Sequence, residues 1–373
     1  MRVRAAILDH SGLATPYAES LPISIREVDL GEPREGELLI KIMAAGVCHS
    51  DLSVVNGSRP RPLPMVLGHE ASGIVVGRGS CVKDVSLGDH VVLVFVSKCG
   101  TCAYCIEGRP ALCEQAAASN AAGALRAGGS RLSLEGSELR HHLGVSAFSE
   151  YAVVDQASAV VIDSDVPFDL AAMFGCALIT GVGAVINAAG IRQGESVGIW
   201  GIGGVGLSAV MGAVASGASE VIAVDPVPEK RKLALSVGAS MALDITDNIR
   251  DYVADGVDIG LEAVGNESSL RSAYDGTKRG GRTISVGLPG PSVSLTVPAV
   301  SLVVESRTLI GSYLGSSDPA VLIPELLRWW RDGRLPVEKL ISGYLALDDV
   351  NSGMDALNSG RVTRQIIRLH EVR

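Results

Sequence analysis

The run Gly201-Ile202-Gly203-Gly204-Val205-Gly206 constrains this chain most, because of what stands on either side of it. Residues 197–200 before it form a short apolar run of strand character, and residues 205–215 after it have helical spacing. A second strand-like run at 221–224 ends at Asp225, 19 residues beyond Gly206. Strand, glycine-rich turn, helix and acid-ended strand make up a βαβ unit that holds a dinucleotide. The glycines let the backbone approach a pyrophosphate at the positive helix N-terminus, and the acid takes the ribose hydroxyls. A carboxylate at Asp225 repels a 2′-phosphate, so the pattern favours NAD over NADP. The same glycines also fit a turn that binds nothing, and Lys230 reads equally as a solvated helix lysine or a ribose contact.

The rest of the chain extends the pattern. Strand-like runs at 257–261 and 282–286, with a helix near 229–237, imply right-handed crossovers and a doubly wound parallel sheet. Residues 3–154 read differently, as short runs at 4–8, 38–43, 73–76, 90–96 and 149–154 broken by Gly, Pro and Asp, which is a β-rich texture. Beyond residue 318 come a helix to about 331, another near 348–358 and a strand at 365–369. A chain of 373 residues exceeds one compact core. The expected division is 1–177, with a cysteine-rich lobe at about 96–114; 178–317; and 318–373, returning to the first domain. Residues 115–137, rich in Ala, Gly and Ser, read as a long surface loop.

Two uncharged stretches invite a membrane reading. The first, 170–191, carries Cys176, Thr180 and Asn187; the second, 196–219, holds seven glycines; neither has the Lys/Arg flanks of an oriented span. At the N-terminus only residues 5–8 are apolar before Asp9, too short for a signal-peptide core. The expected location is cytoplasmic, away from membranes. Acidic residues outnumber basic ones 41 to 32, a formal charge of −9, which argues against nucleic acid as a partner.

Cysteine usage carries the metal chemistry. Cys99, Cys102, Cys105 and Cys113 follow C-x2-C-x2-C-x7-C, a spacing at which four thiolates close a tetrahedron about one structural zinc. A cluster of buried thiols or a redox dithiol are the other readings. Cys48, His69 and Cys176 are scattered, within Cys48-His49-Ser50-Asp51, Gly68-His69-Glu70 and Gly175-Cys176-Ala177. Two thiolates and an imidazole leave one tetrahedral position open, as a catalytic zinc requires, although a lone buried cysteine is more often an apolar filler. Asp51 is the candidate to orient His69, and Glu70 the candidate to sit behind the metal. Cys81 is left over as an ordinary thiol.

Together these motifs resemble the zinc-dependent medium-chain alcohol dehydrogenase family, nearly end to end. The resemblance implies an α/β fold in which a β-rich GroES-like catalytic domain is interrupted by a Rossmann doubly wound parallel-sheet domain. It also implies NAD and two zinc ions per subunit, one catalytic (Cys48, His69, Cys176) and one structural (Cys99, Cys102, Cys105, Cys113). The implied activity is hydride transfer between an alcohol, or its aldehyde or ketone, and NAD. By the same resemblance Ser50 takes the substrate proton, and Phe95 and Leu143 line the substrate pocket. Thr180 and Val205 lie behind the nicotinamide. His49 and Arg364 lie near the pyrophosphate, with His49 where several relatives carry Arg. Ser53 stands where some relatives carry the outer histidine of a proton relay. The interval from Cys113 to Tyr151 is that of long-loop members, typically homodimers. Thiol-adduct formaldehyde dehydrogenases share the long loop and the Cys-His-Ser-Asp motif and form the alternative activity. Their glutathione-binding members are acidic where Arg59 and Arg61 stand here and carry Arg at the position of Ala117, so alcohols or aldehydes of some bulk are expected. A zinc- and NAD-binding protein without dehydrogenase chemistry is disfavoured, because all three ligand candidates and Ser50 are present.

Overall fold

The computed structural model describes residues 1–370. It separates into two compact units, Met1–Cys176 with residues 318–324 and 341–370, and Ala177–Ser317 with Glu325–Leu340. Residues 325–340 thus belong with the second unit, whereas the sequence suggested a return to the first domain from 318.

The first unit is β-rich. Its organising element is the strand Glu37–Val47, whose residues are nearly all buried on both faces. Three strands pair with it antiparallel: Ala71–Arg78, Tyr151–Asp155 and Arg364–Arg368. The pairing decides where function can sit. Glu37–Val47 runs directly into Cys48, Ala71–Arg78 starts directly after Glu70, and Gln365 is registered opposite Val47. One end of one sheet therefore gathers Cys48, His69, Glu70 and Arg364.

The second unit holds a six-stranded parallel sheet in the order Met241–Leu243, Glu220–Val224, Ser196–Trp200, Val257–Glu262, Thr277–Ser285, Thr308–Gly311. The strands expected at 197–200, 221–224 and 257–261 lie inside the third, second and fourth members of that order. Chain order reverses between Ser196–Trp200 and Val257–Glu262, the switch point outside which doubly wound sheets bind ligands.

A second expectation also fails. Residues 115–137 are not a loop: Glu114–Ala122 is a helix, and Leu132–Leu134 is a strand paired with Ile23–Leu30. Alanine is the strongest helix former, so an alanine-rich run winds until Gly123 ends it in the left-handed region at φ 65°. Ala116, Leu125 and Leu132 are buried, and Arg131 makes a two-pronged ion pair with Glu37 at 2.9 and 2.6 Å. The helical run Phe168–Ala188 is long and apolar enough to cross a membrane, yet 89% of its most apolar 18-residue window is buried within the protein, the setting of a core helix.

Candidate active site

The motif Cys48-His49-Ser50-Asp51 is a helix start. Cys48 is the N-cap of the helix His49–Val55, and the Asp51 carboxylate reaches back to accept from Cys48 N at 3.1 Å, a capping box. Asp51 is fully buried; its Oδ1 also accepts from Gly68 N at 3.2 Å and lies 3.1 Å from His69 Nδ1. Burial alone would push the Asp51 carboxyl up, but the facing imidazoles of His69 and His142 hold it below the usual carboxylate range. With Nδ1 turned to Asp51, His69 keeps Nε2 for a ligand, and that buried atom has no hydrogen-bond partner.

Gly68 makes this delivery possible. Its φ is +92°, and a Cβ there would stand 2.4 Å from Phe148 N. Gly68→Ala is expected to cost at least about 1–3 kcal/mol through backbone strain, before counting the clash. Urea denaturation followed by far-UV circular dichroism measures it; wild-type stability would show that this backbone is not constrained as described.

Cys176 arrives from the other direction, in a π-helical turn, Phe174–Leu178, that interrupts the helical run after Met173. Ligand atoms of Cys48, His69, Glu70 and Cys176, all buried, lie within 4.8 Å of one another. A hydrogen bond from Cys176 and the charge of Arg364 hold the Cys48 thiol well below its usual value, against burial. Arg364 is itself buried; its Nη1 donates to Val47 O at 3.0 Å and lies 3.4 Å from Glu70 Oε2. The resemblance sets Arg364 at the pyrophosphate; in this structure its Nη1 is engaged with Val47 O and Glu70. Burial pushes Glu70 up to about 7 in spite of Arg364, and neither carboxylate oxygen has a hydrogen-bond partner. Two thiols, an unpartnered imidazole nitrogen and a carboxylate behind them fit a zinc ion with one open position.

The lobe at Cys99–Cys113 is a second, separate donor set. Cys99 Sγ accepts from Cys102 N at 3.2 Å and Thr101 N at 3.4 Å, and Cys113 Sγ accepts from Cys99 N at 3.3 Å. The four sulfurs lie within 4.8 Å of one another. Bonds from Thr101 lower the Cys99 thiol to about 6, while burial and the neighbouring thiols push Cys105 up to about 12. Four thiols this close cannot all ionise without a cation among them, and a closed zinc site supplies one.

In the second unit, the run Gly201–Gly206 forms the turn after the strand Ser196–Trp200 and the start of the helix Gly204–Ala215. A Cβ at Gly206 would lie 1.8 Å from Gly201 O, whereas one at Gly203 would meet nothing within 4 Å. The turn is tightly closed within and open on its outer side, the cradle a pyrophosphate needs. Asp225 is buried; Oδ2 accepts from Ile202 N at 2.7 Å and Oδ1 from Val227 N at 2.9 Å. It therefore ties the glycine turn to the start of the next helix. Lys230 is buried on the helix Pro228–Ser236, so the solvated reading does not hold. Val205 lies in the first turn of its helix and Thr180 in Ile179–Gly183, both half-buried.

The remaining candidates fall as follows. Ser50 is half-buried and His49 exposed, both in the first turn after Cys48; the Ser53 hydroxyl donates to His49 O at 2.7 Å. Phe95 is buried, its ring edge-on to His69 at 5.7 Å between centroids; Leu143 is buried with φ 53°. Arg61 Nη1 donates to Asn120 O at 3.3 Å, Ala117 is exposed on the same helix as Asn120, and Cys81 is exposed. Sequence reasoning missed His142. It is buried, with Nδ1 3.0 Å from Asp51 Oδ1 and its ring edge-on to His69 at 5.3 Å. The one available signal was the doublet His141-His142 just before Leu143.

Fold and site define an oxidoreductase that works with zinc and a nicotinamide dinucleotide. Residues 34–164 match the alcohol dehydrogenase GroES-like domain, and residues 204–329 match the zinc-binding dehydrogenase domain. An S-(hydroxymethyl)glutathione dehydrogenase of Synechocystis is 34% identical over 96% of this chain and 99% of its own. Among solved structures, an alcohol dehydrogenase zinc-binding domain protein from Burkholderia ambifaria superposes with a TM-score of 0.92 at 35% identity, over 100% of both chains. Benzyl alcohol dehydrogenase from Acinetobacter calcoaceticus gives 0.92 at 32% identity, over 99% of this chain and 100% of its own. The chain belongs to the zinc-dependent medium-chain alcohol dehydrogenase family.

Proposed function

We propose that this enzyme oxidises alcohols of some bulk with NAD and reduces the corresponding aldehydes or ketones. The observation that carries the reading is the buried Cys48–His69–Cys176 set, with Asp51 directing His69 Nε2 towards the two thiols. Zinc held by these three residues supplies the Lewis acidity that lets an alcohol lose its proton near neutral pH, and the nicotinamide supplies the hydride acceptor. Asp51 keeps the Nδ1 proton of His69 in place, and Arg364 offsets the negative charge of Cys48 and Glu70. Ser50 takes the hydroxyl proton of the substrate. Ser53 has its own hydroxyl committed to His49 O, so the proton reaches solvent through water beside His49. Phe95 and Leu143 form apolar pocket walls.

Two zinc ions per chain follow from two separate donor sets. A cytoplasmic homodimer completes the reading. The edge strand Thr308–Gly311 and the helix Ala299–Val304 leave Leu309, Val300, Val303 and Val304 exposed, an edge that a second copy covers. Metal analysis is expected to give two zinc ions per chain, and light scattering twice the chain mass.

A second reading is dehydrogenation of a thiol–formaldehyde adduct, favoured by the Synechocystis relative's full-length similarity. Against glutathione stand Arg59, Arg61 and Ala117. Initial rates of NADH formation over aromatic and longer-chain alcohols, ethanol and S-(hydroxymethyl)glutathione decide between them. The highest kcat/KM is expected for a bulky alcohol; the glutathione adduct in first place would establish the second reading.

A further inference from the structure

Asp51 Oδ1 faces two imidazoles. His69 Nδ1 lies 3.1 Å away in hydrogen-bonding alignment, and His142 Nδ1 lies 3.0 Å away outside that alignment, with no other partner for this buried nitrogen. The two rings meet edge-on at 5.3 Å with an interplanar angle of 83°, so both crowd the same carboxylate oxygen. We propose that His142 is a positioning residue that competes with His69 for Asp51 and so weakens the hold of the catalytic zinc.

A carboxylate that accepts the second N–H of a liganding imidazole makes that imidazole a more basic ligand. Its effect falls when another donor draws on the same oxygen, because one negative charge then serves two N–H groups. An acceptor at Asp51 requires a proton on the facing nitrogen of His142 in either charge state of the ring, so the competition does not depend on titration. Nor is His142 needed to hold Asp51 in place. Backbone N–H groups of Cys48 and Gly68 already anchor both carboxylate oxygens, at 3.1 and 3.2 Å. Removing the imidazole donor therefore leaves Asp51 where it is and returns to His69 the share of its charge that His142 draws. The result is a tighter site with a less acidic metal.

The inference rests on the proposed zinc site, and its test separates the two. His142→Phe keeps a ring against His69 but removes the N–H; His142→Asn keeps a short N–H donor. Zinc release from the purified enzyme is followed by chelator competition with a colorimetric indicator, with the four-cysteine lobe as internal reference. Phe is expected to lower the zinc dissociation constant of the three-ligand site about three- to tenfold, below the range seen when an outer partner is deleted outright. The lobe is expected not to change, and Asn to restore the wild-type value. In cobalt-exchanged enzyme the visible d–d bands are expected to move with Phe and return with Asn. Should Phe fail to fold, His142→Leu is the second donor-free variant, with the same expectation. Unchanged or weaker zinc binding in the donor-free variant, equal shifts at both sites, or failure of Asn to restore it would overturn the proposal. Absence of zinc from the three-ligand site in the wild type would instead overturn the reading on which it rests.

Discussion

Cys176→Ala is expected to give a folded protein with one zinc ion instead of two and at least about a thousandfold lower kcat/KM for alcohol oxidation. A Lewis acid contributes several kcal/mol of transition-state stabilisation, and about 4 kcal/mol corresponds to that factor. Cys176 leaves the other metal set untouched, because Cys99, Cys102, Cys105 and Cys113 are contiguous in a lobe of their own. Dinucleotide binding by the Gly201–Gly206 turn is expected to persist, measured by quenching of protein fluorescence. Metal analysis and steady-state rates on the same preparation check the prediction. Full activity with a single zinc would refute the assignment of Cys176.

The second large effect concerns Asp225. The wild type is expected to prefer NAD to NADP strongly, and Asp225→Gly to reduce that preference by about ten- to a hundredfold, the equivalent of a charged hydrogen bond of about 1.5–3 kcal/mol. The structure adds a second loss: the carboxylate also holds Ile202 N and Val227 N, so the glycine turn itself loosens. The change is therefore expected chiefly as a higher KM for NAD, with little gain in absolute efficiency with NADP. Kinetics with both nucleotides, each over a full concentration range, measure it. Equal use of NAD and NADP by the wild type would remove Asp225 from this role.

What could be read in advance tracks how local the signal is. The dinucleotide unit was legible because strand, turn, helix and acid are consecutive, and each states its backbone preference on the spot. The four-cysteine lobe was legible for the same reason. Cys48, His69 and Cys176 are separated by most of the first unit, and only their neighbours and a family resemblance drew them together. His142 gave no such signal. Its meaning depends on Asp51, 91 positions earlier, and on a ring orientation that no pattern encodes. The stretch 115–137 was misread because small residues suit both a loop and a helix, and burial of Ala116, Leu125 and Leu132 decided between them. The engagement of Arg364 with Glu70 was equally invisible, since strand register alone brings them together.

That last contact bears on how the enzyme is made. Thiols, imidazole and Glu70 all emerge from the ribosome by residue 176, but the buried cation that balances them, Arg364, follows only after the whole second unit has been synthesised. Domains generally fold as they emerge, first part first. The four-cysteine lobe is complete early, since its donors span fifteen residues of local chain. The reactive pocket cannot reach its final charge balance until the strand Arg364–Arg368 has added itself beside Val47. A nascent chain thus carries the complete four-cysteine lobe long before it carries the finished pocket, and the last strand laid down is the step that completes that pocket.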